Sequence, residues 1–136
     1  MNYIKVKKNI LYVDSMPAIR LAKRFETPFY CYSLSQIKYN YNILSHAFKS
    51  IRPIMCFSVK SNSNINLLRE LKKIGSGADV VSKGELLKAT KAGINPNKIV
   101  FSGVGKTEEE IRIAIKKRVL LINVESENEV YLINRI

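Results

Sequence analysis

The chain has 136 residues, of which 46% are hydrophobic and 25% charged, as expected for one soluble globular domain with a hydrophobic core. No apolar run approaches the roughly 20 residues of a membrane span, and no signal-type apolar block follows the N-terminus, so we expect a cytoplasmic protein with no membrane partner. The net charge of +12 permits nucleic-acid binding, but the basic residues are scattered rather than clustered in a binding motif, which favours a solvated surface. The two cysteines, Cys31 and Cys56, have no metal-site spacing and fall in predicted strands, so we expect reduced, buried thiols.

Residues 1–28 are predicted to lead into the main domain. Residues 4–13 alternate weakly between apolar and polar side chains, which predicts one strand or two short strands joined at Lys8–Asn9. A short helix follows Pro17 and ends before Thr27–Pro28, because the residue before a proline avoids the helical conformation. Phe29–Tyr32 is then predicted as a strand.

Residues 29–136 repeat a strand followed by a helix. Strand-like apolar runs begin near Phe29, Ile54, Ala78, Ile99 and Leu120. Four helix starts have the pattern of a capping box, a hydroxyl residue followed three positions later by Gln or Glu. They are Ser33–Gln36, Ser82–Glu85, Thr107–Glu110 and Ser126–Glu129. Gly75 and Gly93 are suitably spaced to end two of the helices.

This alternation predicts an α/β fold with a parallel sheet and right-handed crossovers. A doubly wound sheet and a (β/α)8 barrel both use the unit, and a spacing of about 20 to 25 residues favours the barrel, which typically takes about 250 residues. About five units fit, and the last predicted helix is still running at Ile136. We therefore expect an incomplete barrel, truncated from a longer one.

Lys60 is the leading catalytic candidate. Residues 53–59 form a short apolar run that predicts a buried strand, so Lys60 falls at the strand's C-terminal end, where parallel α/β sheets place their chemistry. Partly dry surroundings there would favour the neutral amine, the form that makes a Schiff base. Since the chain contains 23 Lys and Arg residues, a solvated surface lysine is the alternative.

Asp79 is the second candidate, because it interrupts the next apolar run. A carboxylate in a strand is costly unless it has a partner, and the preceding strand ends at Lys60, so we expect the two charges to be neighbours. An Asp at the exposed start of the strand is the alternative. Glu85 is interpreted as the capping partner of Ser82, and His46, the sole histidine, as a helix-surface residue.

The segment Ser102-Gly-Val-Gly-Lys-Thr107 imitates part of a phosphate-binding loop. The full motif requires a glycine five residues before Gly105, where the chain has Val100, and the dinucleotide fingerprint fails at Glu108. A tight turn into a capped helix is the simpler interpretation.

Several segments, in the same order along the chain, resemble the pyridoxal phosphate-dependent decarboxylases with an alanine-racemase-type barrel. They are Phe57-Ser-Val-Lys-Ser-Asn-Ser-Asn64, residues 75–86 around Asp79, residues 98–107 and Asn123-Val-Glu-Ser126, and residues 18–33 resemble the family's approach to the barrel. The Gly-Val-Gly-Lys-Thr and Asn-Val-Glu-Ser blocks are most similar to those of the diaminopimelate decarboxylases within this family. Ser58 and Ser61 stand where the family more often has alanine.

The resemblance implies that Lys60 binds pyridoxal 5'-phosphate covalently and that Asp79 lies beside it at the cofactor site. It also implies decarboxylation of meso-diaminopimelate to L-lysine by a homodimer with a shared active site. The family's cofactor-stacking histidine, glycine-rich phosphate loop and acidic partner of the pyridine nitrogen come later in the barrel, and a C-terminal β domain follows. We therefore expect this chain alone to be an inactive fragment. A non-catalytic remnant, a small binding protein, or part of another pyridoxal phosphate-dependent amino-acid decarboxylase are the alternatives.

Overall fold

The computed structural model describes residues 3–136 and divides into two compact units, one ending at Pro53 and the other beginning at Ile54. The first unit contains an antiparallel sheet and the second a parallel one. Within the described residues, no helix combines the length and the apolar character that crossing a bilayer requires.

The first unit begins with an antiparallel hairpin of strands β1 (Ile4–Lys7) and β2 (Ile10–Val13). Lys8 and Asn9, between the strands, have φ angles of 48° and 60°. Two consecutive positive φ angles are typical of the type I′ turn, whose twist matches that of a hairpin. Of the two alternatives, the structure therefore has the two short strands, and β3 (Met16–Pro17) adds antiparallel to β2.

Two helices complete this unit, α1 (Ala18–Arg24) and α2 (Leu34–Ala47), and a single 3-10 turn (Lys49–Ile51) follows α2. The buried hydroxyl of Ser33 accepts a hydrogen bond from the Gln36 N–H at 3.0 Å and donates one to Asp14 Oδ1 at 2.7 Å. Ser33 therefore caps α2 and joins its first turn to the turn between β2 and β3.

The strand predicted at Phe29–Tyr32 is wrong, because these residues have no regular structure. A strand requires a neighbouring strand for its hydrogen bonds, and the sheet of the first unit consists of β1, β2 and β3 among the described residues. The aromatic residues favour extended backbone without providing that neighbour. Cys31, within the segment, is consequently an exposed free thiol rather than a buried one.

The second unit is a parallel sheet with helices between its strands. The strands lie in the order β4 (Cys56–Ser58), β5 (Gly77–Val80), β6 (Ile99–Phe101) and β7 (Leu121–Ile122). The helices are α3 (Ile65–Lys73), α4 (Lys83–Lys91), α5 (Glu108–Lys117) and α6 (Glu127–Arg135), with 3-10 turns at Val59–Ser61 and Pro96–Lys98. The predicted α/β alternation is confirmed, with four parallel strands where about five units were expected.

The two faces of this sheet differ in character. Ala78 and Val80 of β5, with Ile99 and Phe101 of β6, are fully buried in a core that also contains apolar residues of α3, α4 and α5. Side chains alternate between faces along a strand, so Asp79 projects to the opposite, half-buried face. The register pairs it with Ser58 of β4.

The helix starts only partly follow the predicted capping boxes. In all four, the Ser or Thr oxygen accepts the N–H three residues on. The second bond of a capping box, from the N–H of the cap residue to the Glu carboxylate, forms only at Thr107–Glu110 among these four starts. The carboxylates of Glu85 and Glu129 instead bind the N–H one residue earlier, at Val81 and Glu125.

Helices α3 and α4 end as predicted, at Gly75 and Gly93, whose φ angles are 91° and 88°. In each case the next residue donates its N–H to the carbonyl five positions back, Ser76 to Leu71 and Ile94 to Ala89. This is the Schellman arrangement that favours glycine, and it turns the chain back toward the next strand.

Candidate functional site

Lys60 lies directly beyond β4, in a single 3-10 turn over Val59–Ser61. Val59 is fully buried in the core, while Lys60 is exposed. The Asn62 N–H donates to the Val59 carbonyl at 3.1 Å, and the Ser61 hydroxyl donates to the Ser58 carbonyl at 2.7 Å. The buried valine and these two bonds fix the turn, so the backbone from which the Lys60 amine projects is well defined.

The Lys60 amine forms no hydrogen bond or ion pair with any residue between 3 and 136. Two predictions are therefore wrong. The Lys60 side chain is exposed and not in partly dry surroundings, and no ion pair joins it to Asp79 among the described residues. Both residues nevertheless lie toward the carboxyl edge of the same sheet, on adjacent strands whose register pairs Asp79 with Ser58.

Asp79 is partnered by hydroxyl groups instead of an ammonium group. Ser102 donates to Oδ1 at 2.6 Å, and Ser58 donates to Oδ2 at 3.5 Å. Asn123 Nδ2 in turn donates to the Ser102 hydroxyl oxygen at 2.9 Å. We call Ser58, Asp79, Ser102 and Asn123 the polar row, because it crosses from β4 to the end of β7.

No sequence motif marks Ser102 or Asn123 as a site residue, and Ser58 stands out only as a departure from the family pattern. A signal for them exists, because each stands within or just after a short apolar run, and the carboxyl ends of parallel strands meet at one edge of the sheet. His46 is exposed on α2, in agreement with the surface role assigned to it.

Cys56 and Gly77 lie next to the polar row, paired across β4 and β5. Burial, reinforced by the negative charge of Asp79, raises the pKa of the Cys56 thiol above its ordinary value. The protonated thiol is a weak nucleophile. Cys56 is thus a half-buried packing group at this site.

Lys106, the lysine of the loop that imitates a phosphate-binding motif, is buried. Its side chain is 2% exposed, and its amine donates to the carbonyls of Gly103 at 2.7 Å and Asn123 at 2.6 Å. It also forms an ion pair with Glu129 of α6 at 3.1 Å. All its donors point to protein oxygens, so Lys106 joins the loop after β6 to α6 and is not presented to a nucleotide.

The Lys106–Glu129 pair is expected to make stability depend on pH. Burial alone would raise the pKa of the Glu129 carboxyl, but the Glu125 N–H and Lys106 outweigh it and hold the pKa below the ordinary 4.5. A lowered pKa in the folded state stabilises the fold above the ordinary value, and this stabilisation is lost as the pH falls through the lowered pKa.

The urea midpoint is therefore expected to fall between about pH 6 and about pH 3, and to fall less steeply in Glu129→Gln. Subtracting the two curves removes the contribution of the other carboxylates. Parallel curves for the two proteins would contradict the lowered pKa of Glu129.

The sequence profile of the family described as "Pyridoxal-dependent decarboxylase, pyridoxal binding domain" matches residues 34–136. Among curated proteins, the chain is 43% identical over 136 residues to the diaminopimelate decarboxylase of Haemophilus influenzae, covering all of this chain and 33% of that protein. It is 40% identical over 134 residues to the Aquifex aeolicus diaminopimelate decarboxylase, covering 98% of this chain and 31% of that protein. It thus spans about a third of the length of the curated relatives it matches.

Two solved diaminopimelate decarboxylase structures resemble this chain in both fold and sequence. The diaminopimelate decarboxylase of M. jannaschii, crystallised with L-lysine, has a TM-score of 0.94 and 40% identity, covering 98% of this chain and 32% of that one. The Helicobacter pylori enzyme, also with L-lysine, has a TM-score of 0.83 and 43% identity, covering 87% of this chain and 30% of that one. The lysine decarboxylase of Selenomonas ruminantium shares the fold, at 21% identity, 98% and 33% coverage and a TM-score of 0.82. Because the profile of the pyridoxal-binding domain matches residues 34–136, three quarters of this chain, the chain belongs to the pyridoxal-dependent decarboxylase family.

Proposed function

We propose that this chain is the N-terminal part of a pyridoxal phosphate-dependent diaminopimelate decarboxylase, with Lys60 as the cofactor-attachment lysine and Asp79 beside it. One observation carries the proposal: the Lys60 amine projects just beyond β4, at the carboxyl edge of a parallel sheet, and binds no described residue. In this proposal residues 29–136 belong to a (β/α)8 barrel whose remaining units cover the open face of the sheet, and residues 1–28 lead into it.

The residues present fit the aldehyde end of the cofactor. Pyridoxal phosphate supplies an aldehyde that captures amines and a conjugated ring that accepts electrons when carbon dioxide leaves an amino acid. Lys60 offers the unpaired primary amine that an aldehyde requires. The loop around Lys106 does not fit the phosphate end, because the lysine donors are already used by protein oxygens.

Each residue has a separate task in this proposal. The buried side chain of Val59 orients the turn, and the Lys60 Nζ binds the cofactor, yields it to the substrate amine and can then hold a proton. Asp79 accepts hydrogen bonds on both oxygens, and these bonds orient its carboxyl group. Its negative charge attracts the ammonium groups of Lys60 and of an amino-acid substrate.

The proposal includes a cytoplasmic location and a homodimer that completes the active site. The free thiols of Cys31 and Cys56 agree with a reducing compartment. The relatives named above by sequence are diaminopimelate decarboxylases, and none of them favours a nucleic-acid binder or a non-catalytic binding protein.

Cofactor attachment is tested by adding pyridoxal phosphate to the 136-residue chain in less than equimolar amount, reducing with borohydride and mapping the labelled peptide by mass spectrometry. We expect the label on Lys60 and its loss in Lys60→Arg, because a guanidinium group does not form the Schiff base. Lys88→Arg, which changes an exposed lysine of α4, is the matched control and should keep the label. Label spread over the surface lysines of the wild type would contradict the assignment of Lys60.

Substrate identity requires the rest of the enzyme. Coexpression with the C-terminal two thirds of the H. influenzae enzyme, the part this chain does not cover, should release carbon dioxide from meso-diaminopimelate and form L-lysine. The chain alone and the Lys60→Arg complex are the inactive controls. If the complex instead prefers ornithine, arginine or lysine, the proposed substrate is wrong. The assignment of Lys60 as the attachment lysine would not be affected.

A further inference from the structure

We propose that Ser102 and Asn123 are positioning residues that hold the Asp79 carboxylate as an oriented hydrogen-bond acceptor beside Lys60. The inference rests on the proposed function, because it assigns Asp79 to the cofactor site. Ser102, just after β6, binds Asp79 directly. Asn123, just after β7, acts on Asp79 through Ser102.

The direction of the bonds in the polar row follows from the chemistry of its members. The amide nitrogen of Asn123 can only donate, and it lies 2.9 Å from the Ser102 oxygen. The Ser102 oxygen accepts this bond, and the single hydroxyl hydrogen stays available for Asp79 Oδ1, to which it donates at 2.6 Å. Because Asp79 Oδ1 accepts this hydrogen, the bond favours one orientation of the carboxyl group.

Both donors are held in place by the sheet. The Ser102 N–H donates to the Val80 carbonyl at 2.8 Å, and the Asn123 N–H donates to the Phe101 carbonyl at 2.9 Å. Each residue thus continues the ladder of its strand by one bond, although it lies beyond the strand's last residue. The side chains that orient Asp79 start from backbone that is already fixed.

The row is anchored at its far end by Lys106. The buried amine of Lys106 binds the carbonyl of Asn123 and the carbonyl of Gly103, the residue after Ser102. Glu129 balances its charge at 3.1 Å. The two loops that carry Ser102 and Asn123 are therefore joined by one buried side chain, which fixes their separation at the carboxyl edge of the sheet.

At the other end, Ser58 contributes less. Its hydroxyl is 3.5 Å from Asp79 Oδ2, so Ser102 provides the short bond and the larger share of the orientation. Loss of Ser102 would leave the carboxylate to turn toward water. We expect such a change to weaken pyridoxal phosphate binding at Lys60 about tenfold, the factor associated with a charge-assisted hydrogen bond.

The test uses two readouts on the 136-residue chain. The first needs no cofactor: the NMR resonances of the Asp79 carboxyl carbon and the Asn123 side-chain amide should both shift in Ser102→Ala and return toward wild type in Ser102→Thr, which keeps the hydroxyl. The second is the dissociation constant for pyridoxal phosphate attached at Lys60, which should rise in Ser102→Ala and Asn123→Ala. Ser63→Ala is the matched control, because the Ser63 hydroxyl binds Lys88 and not Asp79.

An unchanged Asp79 carboxyl resonance in Ser102→Ala would overturn the inference, and so would a shifted resonance with an unchanged dissociation constant. If the wild-type chain does not attach the cofactor at Lys60, the proposed function fails, and with it the part of the inference that concerns the cofactor. The NMR readout distinguishes failure of the inference from failure of the proposed function, because it measures the hydrogen bonds of the polar row without any cofactor.

Discussion

Lys106→Met is expected to lower the free energy of unfolding by about 3–5 kcal/mol. The side chains of Lys106 and Glu129 are 2% and 7% exposed, so removal of the ammonium group leaves a buried carboxylate without its counter-ion. The carbonyls of Gly103 and Asn123 also lose a donor. Urea denaturation at neutral pH, followed by circular dichroism, measures the difference.

Lys116→Met is the control for this experiment, because Lys116 is an exposed lysine of the neighbouring helix α5. Its effect should stay within about 0.5–1 kcal/mol. The double variant Lys106→Met/Glu129→Leu should recover part of the loss, since it removes both buried charges together. It should not recover all of it, because the two carbonyls remain without their donor. A loss in Lys106→Met no larger than in the control would contradict the buried ion pair.

Gly77→Ala is expected to destabilise the second unit by about 3 kcal/mol. A Cβ atom at Gly77 would stand 2.2 Å from the Lys98 carbonyl oxygen and 2.9 Å from the Cys56 sulfur. The closer contact is with backbone, so no side-chain rotation relieves it and β5 must move away from its neighbours. Urea denaturation measures the loss, and hydrogen exchange at the β5 amides locates it.

Gly84→Ala provides the matched control. Gly84 lies in α4, and its added Cβ would meet only the Ser82 hydroxyl oxygen, at 3.9 Å. Alanine should therefore stabilise the helix by roughly 0.5–1 kcal/mol. Cys56→Ala should not rescue Gly77→Ala, because the Lys98 carbonyl remains. Full rescue would show that the sulfur contact, rather than the backbone, limits the space at Gly77.

Local patterns in the sequence were sufficient to predict most of the second unit. The helix ends at Gly75 and Gly93 follow from chemistry contained within a few residues, and so do the four hydroxyl caps. The strand predicted at Phe29–Tyr32 did not form, because a strand depends on a partner that local sequence does not specify.

The candidate site was less predictable, because its contacts join residues far apart in the chain. The sequence predicts that Asp79 needs a partner and points to Lys60, but the structure provides the hydroxyls of Ser58 and Ser102. These partners depend on the register of three strands. The local sequence pattern predicts only a tight turn at Lys106. Lys106 can be buried because Glu129, 23 residues further along the chain, forms an ion pair with it. The sequence pattern explains Glu129 as part of a capping box and gives no sign of this contact.

The alternation along β5 also bears on how the sheet avoids misfolding. If β5 slipped by one residue against β6, Asp79 would enter the apolar interior beside Ile99 and Phe101, while Ala78 and Val80 would leave it. An isolated carboxylate in that position is strongly unfavourable. The misaligned pairing would therefore be short-lived. Asp79, which we propose for the cofactor site, thus also favours the correct register of β5.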